Sequence, residues 1–125
     1  MSRILVAEDE RDIRDLIVYT LRFGGYEVLE AGDGEEAVRL AQQEKVDLIL
    51  MDVRMPRMTG YQACTMLKND ERTEGIPIVF LSAKGQEDEV KKGLEVGAEE
   101  YILKPFAPDQ LNKHVSKVLA RFGKV

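Results

Sequence analysis

The stretch Val46-Asp47-Leu48-Ile49-Leu50-Met51-Asp52-Val53-Arg54-Met55-Pro56 decides the fold. Its apolar run does not alternate with polar residues, which is the pattern of a strand covered on both faces. It ends by delivering the carboxylate of Asp52 into a loop. The first strand ends the same way, since Ile4-Leu5-Val6-Ala7 runs into Glu8-Asp9-Glu10. If the two strands are neighbours, three carboxylates share one sheet edge, and they repel each other unless a cation or protons neutralise them. A later strand, Ile76 to Leu81, ends at Ser82, and another, Tyr101-Ile102-Leu103, ends at Lys104-Pro105. Four strand ends thereby supply acids, a hydroxyl and an ammonium.

Helical patterns separate these strands. Ile13, Leu16, Ile17, Thr20 and Leu21 share one face at the helical period, and Gly24-Gly25 ends that helix. A short strand over Tyr26 to Glu30 follows. Asp33 with Glu36 three residues later marks a capped start, and Ala37, Leu40 and Ala41 form the buried stripe behind it. Gly60 leads into a third helix expected to turn Ala63, Met66 and Leu67 inward. Pro77 is tolerated at the start of the fourth strand. The fourth helix, opened by Gly85, is weakly apolar, with Val90 and Leu94 as its expected anchors and Gly93 lowering its intrinsic stability. The fifth has Pro108 in its first turn and Leu111, Val115, Val118, Leu119 and Phe122 on one face.

Five strands alternating with five helices predict an α/β domain, a doubly wound (βα)5 three-layer sandwich with a parallel sheet. Right-handed crossovers leave strand order 2-1-3-4-5 as the leading topology. In that order strands 1 and 3 are neighbours, so Asp9 and Asp52 meet at the carboxyl edge, where ligands bind in such sheets.

Composition narrows the function classes. The 125 residues suit a single core, and 44% apolar with 33% charged residues describes an ordinary soluble chain. No apolar stretch approaches the ~20 residues that cross a bilayer, and Met1-Ser2-Arg3 leads directly into a strand, so a cytoplasmic location without membrane contact is expected. Cys64 is the only cysteine, which excludes an internal disulfide and reads as a small buried hydrophobe. A net charge of −5 argues against direct nucleic-acid binding by this domain. His114 reads as an exposed contact residue on the last helix.

The edge constellation points to phosphoryl chemistry. A hard cation such as Mg²⁺ (or Mn²⁺) takes oxygen ligands, and Glu8, Asp9 and Asp52 supply carboxylates to which the main-chain carbonyl of Arg54 adds a further oxygen. With charge neutralised, Asp52 is a nucleophile toward phosphorus. Lys104 would pair with phosphoryl oxygens as a point charge, and the Ser82 hydroxyl would donate to them. Each group alone has a plainer reading, Asp52 as a cap, Ser82 as a turn residue and Lys104 as an ion-pair partner. The combination carries the case.

With those residues in view, the chain resembles, end to end, a response-regulator receiver domain of two-component signalling, similar to the chemotaxis regulators. The matching segments are Ile4 to Asp9, Asp52 to Pro56 with Gly60, Leu81-Ser82-Ala83-Lys84, and Gly97 to Phe106. The resemblance implies that residues 1–125 form one receiver domain with Asp52 phosphorylated by a histidine kinase or phosphotransfer protein. It implies Glu8 and Asp9 as the acidic metal pocket, Ser82 and Tyr101 as a switch pair, and a cis peptide between Lys104 and Pro105. It further implies a changed surface of helix 4, strand 5 and helix 5 that controls an output protein or a linked effector domain, in a monomer or a phosphorylation-dependent dimer.

The chain also departs from the family's commonest pattern. Glu8 stands where a second aspartate is frequent. Arg54 and Lys84, each two residues beyond a site residue, flank the path of attacking water and imply an altered phosphoryl lifetime. Lys92 and Glu99-Glu100-Tyr101 match the branch that dimerises through helix 4, strand 5 and helix 5, whereas Gln110 and His114 replace its usual acid and arginine. Three other functions compete with the switch. An aspartate-nucleophile phosphatase would want an acid where Arg54 stands, a flavin carrier would meet Glu8-Asp9-Glu10 where it needs a phosphate loop, and an interaction module would not be phosphorylated. The chain is not expected to be an enzyme beyond assisting its own phosphorylation and dephosphorylation.

Overall fold

The computed structural model describes residues 2–83, 87–104 and 106–124. Strands and helices alternate as β1 (Arg3–Ala7), α1 (Arg11–Phe23), β2 (Glu27–Ala31), α2 (Gly34–Gln43), β3 (Leu48–Asp52), α3 (Gly60–Lys68), β4 (Ile78–Ala83), α4 (Glu87–Glu95), β5 (Glu100–Lys104) and α5 (Pro108–Arg121). All four pairings are parallel and the order is β2-β1-β3-β4-β5, as expected from the crossover rule.

Every residue of β3 is buried, because helices cover both of its faces. Leu5, Ala7, Ile49, Met51, Ile78 and Phe80 face α2 and α3 through Ala37, Val38, Ala41, Ala63, Cys64 and Leu67. Ile4, Val6, Leu48, Leu50, Val79, Leu81 and Ile102 face α1 and α5 through Ile17, Val18, Leu21, Leu111, Val115, Val118 and Leu119. The strand alternation that sorts these side chains also fixes where each strand end points.

Several helix faces are rotated relative to expectation. Leu16 is 56% exposed, because Ile17, Val18 and Leu21 take the inward positions on α1. Met66 is 47% exposed, since Gly60, Ala63, Cys64 and Leu67 already complete an i, i+3, i+4, i+7 stripe and Met66 lies about 100° away from Leu67. Leu94 is exposed and Gly93 is buried in its place, while Phe122 caps α5 with 38% of its surface free. The strands also shift slightly. β3 starts at Leu48 rather than Val46, and β4 starts after Pro77, whose carbonyl accepts from the Ile49 amide at 2.9 Å.

Local starts and stops follow the sequence signals. Asp33 caps α2 by accepting from the Glu36 amide at 2.8 Å, while Glu36 Oε1 reaches back to the Gly32 amide at 2.8 Å. Gly24 is the C-cap of α1, and Gly25 continues with φ +94, a conformation that suits a residue without Cβ. Cys64 is buried and unpaired by disulfide, and burial pushes its thiol up to about 11, which makes it inert.

Candidate functional site

The carboxyl edge gathers side chains from β1, β3 and β5. Asp52 is the last residue of β3 and only 8% exposed, and Glu8, one residue past β1, is fully buried. Asp9 is exposed at the rim of a groove of about 550 Å³ that it shares with Val53, Arg54, Met55, Pro56, Thr59 and Tyr61. Lys104, at the end of β5, spans the two buried acids, with Nζ 3.1 Å from Glu8 Oε1 and 2.9 Å from Asp52 Oδ2. The second oxygen of each acid is also engaged. The Glu10 amide donates to Glu8 Oε2 at 3.2 Å, and the Arg54 amide donates to Asp52 Oδ1 at 3.3 Å.

The loop after Asp52 is built to hold that geometry. The Val53 amide donates to the Leu81 carbonyl at 3.2 Å, and the Gly60 amide to the Val53 carbonyl at 2.8 Å. Gly60 lies so close to the Asp52 carbonyl that any Cβ there would collide with it. Farther along, Arg57 takes φ +66 and its Nη1 lies 3.4 Å from Asp33 Oδ2, while the Met58 carbonyl presses on Gly34. The loop after Asp52 is therefore pinned to the start of α2.

Electrostatics at the edge are dominated by burial. It pushes Glu8 up to about 7, aided by the nearby Asp52 charge and its hydrogen bond, and the Lys104 ammonium offsets this only in part. Burial alone would lower the pKa of Lys104, but hydrogen bonds and attraction from Asp52 and Glu8 win and hold it above its ordinary value. One oxygen from each of Glu8, Asp9 and Asp52 lies within 4.8 Å of the others. A hard divalent cation suits this donor set, since it would supply the two positive charges that three crowded carboxylates and one ammonium lack.

The four acid and ammonium positions singled out in the sequence thus come together. Ser82, 1% exposed, lies inside β4 rather than beyond its end, one residue after Leu81, the register partner of Asp52. Tyr101 pairs in register with Phe80, which puts it on the same sheet face as Ser82, two residues nearer the start of the strands. It is partly buried against the core on that face. Arg54 sits two residues beyond Asp52 as its number requires. Lys84, and with Pro105 the expected cis peptide, lie outside the described residues. His114 is less free than expected, with Nδ1 3.2 Å from Glu100 Oε1.

Sequence reasoning missed two contributors. Arg14 on α1 donates from Nη1 to the Glu8 carbonyl at 2.8 Å, although by spacing it reads as an ordinary charged surface position. The close approach of Gly60 to the Asp52 carbonyl was also hidden, because a glycine before a helix reads first as punctuation.

A model of the response regulator receiver domain matches residues 4–116. The phosphate regulon transcriptional regulatory protein PhoB of Pseudomonas aeruginosa is 45% identical over 96% of this chain and 52% of its own length. The alkaline phosphatase synthesis transcriptional regulatory protein PhoP of Bacillus subtilis is 42% identical over 96% of this chain and 49% of its own. The chain thus spans about half the length of these relatives. Among solved structures, the chemotaxis response regulator CheY4 of Vibrio cholerae superposes with a TM-score of 0.89 at 35% identity, over 95% of this chain and 99% of that one.

Proposed function

The chain belongs to the response-regulator receiver family of two-component signalling, and from that premise we propose that Asp52 is its phosphoacceptor. The observation that carries the reading is Lys104 bridging Asp52 and the fully buried Glu8 beside exposed Asp9. An Asp52 oxygen attacks the phosphorus of a phosphohistidine on a histidine kinase or phosphotransfer protein. The P–N bond breaks, and the imidazole leaves as it takes up a proton. A bound Mg²⁺ or Mn²⁺, held by Glu8, Asp9, Asp52 and the Arg54 carbonyl, would supply charge neutralisation at the transferred group. Lys104 exchanges its carboxylate partners for a phosphoryl oxygen, and the Ser82 hydroxyl donates to another.

Phosphorylation adds about −1.5 to −2 charge at Asp52. Drawing Ser82 toward it opens space for Tyr101 on the same sheet face, and the α4, β5 and α5 surface changes. That surface controls an output protein or a linked effector domain, with the receiver unit spanning residues 1–125 as a monomer or a phosphorylation-dependent dimer. Arg54 and Lys84 tune the lifetime of the acyl phosphate. The domain binds no nucleic acid itself and acts in the cytoplasm, a location compatible with the absence of any described helix long and apolar enough to cross a membrane. A phosphatase reading is disfavoured by Arg54 at the position where that chemistry wants an acid.

The test is intact-protein mass after incubation with Mg²⁺ and acetyl phosphate, beside Asp52→Asn. A labile adduct of one phosphoryl group in the parent and none in the variant is expected. An adduct in both, or in neither together with no metal-dependent beryllofluoride binding, overturns the assignment and leaves a non-phosphorylated interaction module.

A further inference from the structure

The turn from β1 to α1 carries two of the three clustered carboxylates, yet little of the sheet holds it. The ladder between β1 and β2 ends at the pair Ala7 and Ala31, and past it the Glu8 amide still finds the Ala31 carbonyl at 3.1 Å. The next main-chain amide on the β2 side, that of Gly32, is turned away to Glu36 Oε1 at 2.8 Å. The Glu8 carbonyl, beyond the last paired residues, is instead satisfied by Arg14 Nη1 at 2.8 Å. The guanidinium has a second anchor, with Nε 3.4 Å from Glu30 Oε1. It lies against the open side of Gly32, where an added Cβ would stand 3.6 Å from Nη1.

We propose that Arg14 is a positioning residue for the acidic cation pocket, fixing the turn that aims Glu8 and Asp9 at Asp52. The inference rests on the cation pocket of the preceding section and names the part of the chain that sets its shape. A planar fork suits the task because one nitrogen reaches the carbonyl while another stays on the Glu30 carboxylate, a span that an ammonium does not reproduce. Glu30 has a second effect, since its charge offsets that of the guanidinium, which would otherwise repel a cation bound nearby.

Position and charge make opposite demands here. Removing a positive charge from the neighbourhood of an acidic cluster tightens cation binding if Coulomb forces alone act. If Arg14 positions the turn, its removal weakens binding despite the favourable charge change. The measurement is a titration of the full chain with Mn²⁺ alone, following the signal of free Mn²⁺ by electron paramagnetic resonance, with urea unfolding run on the same samples. Arg14→Met is expected to weaken Mn²⁺ binding about tenfold, the lower end of the effect of removing groups that orient metal ligands. Equal or tighter binding by a folded Arg14→Met overturns the inference. Should that variant fail to fold, Arg14→Lys decides, because it keeps the charge and loses the fork. A clear weakening supports the inference, and parental affinity overturns it. No Mn²⁺ binding by the unmutated chain overturns the cation pocket itself, and the inference with it.

Discussion

Helices α3 and α4 are both nine residues long, and both follow strands at the centre of the site, but they are held in unlike ways. α3 starts with a reciprocal cap, the Gln62 amide on Thr59 Oγ1 at 3.2 Å and the Thr59 amide on Gln62 Oε1 at 2.9 Å. It buries Gly60, Ala63, Cys64 and Leu67. It ends at Lys68, whose Nζ ties the Glu74 and Ile76 carbonyls and Glu99 Oε1 together at 3.3, 3.0 and 2.9 Å. Among the described residues of α4, by contrast, Gly93 alone is buried, resting on the Phe80 ring, while Lys91, Lys92, Leu94 and Glu95 are exposed. A cation–π contact, Lys92 Nζ 4.9 Å from the Tyr61 ring centre, joins the two helices and is worth about 0.5–1 kcal/mol at such a site. The lesson is a division of labour. The helix leaving β3 is fixed because it touches the Asp52 main chain, and the helix leaving β4 is seated lightly enough for a small free energy to move it.

Truncating one leucine on each helix separates the firm side from the loose one most strongly. Leu67→Ala is expected to cost about 3–4 kcal/mol in urea unfolding, against under ~0.5 kcal/mol for Leu94→Ala. Similar costs would mean α4 is packed as firmly as α3. Next, Gly60→Ala should cost about 3 kcal/mol, because the added carbon meets the main chain of Asp52 and Val53 and not a side chain that can swing away. A cost below about 1 kcal/mol would show that the start of α3 can retreat from Asp52.

The firm half has one built-in weakness, which pH exposes. Glu8 is raised from 4.5 to about 7 by burial first and Asp52 second, so between those values the folded chain holds more protons than the unfolded one. Stability from this group is full below about pH 4.5 and is lost as pH rises to 7, an effect of about 3 kcal/mol. With a chelator present, the difference in unfolding free energy between the parent and Glu8→Gln should follow that slope. A flat difference removes it. The smallest effect is expected on the loose side. Gly93→Ala gains about 1 kcal/mol of helix propensity but sets a carbon 2.7 Å from Phe80 Cδ2, for a net loss of about 1 kcal/mol. Hydrogen exchange should then quicken in α4 and leave α3 unchanged. Equal changes in both helices would mean the two move as one body.

Much of this was legible beforehand because the signals are local. The ends of β1, β3 and β5 followed from apolar runs, whereas β4 runs past Ser82 to Ala83; the α2 cap followed from Asp33 and Glu36, and the meeting of Asp9 with Asp52 from the crossover rule. The faces of α1, α3 and α4 were less legible. Leu16, Met66 and Leu94 each sit about one residue's rotation from a position that is buried, and hydrophobicity alone does not say which of two adjacent apolar residues points inward. On α4 the decisive residue is a glycine, which carries no apolar signal at all.

Strand order, the acids, hydroxyl and ammonium at or near four strand ends, and the family they signify can all be read along the chain. Those properties depend on period, chirality and residue type, all of which are written along the chain. Packing alone sets the bridge of Lys104 between Glu8 and Asp52, the bare Gly60 beside a main-chain carbonyl, and the Arg14 contact with the Glu8 carbonyl behind the acids. Each of these is a contact of a few ångströms between segments far apart in the chain or folded back on themselves. Such distances are set by how helices settle on the sheet, not by any repeat in the sequence.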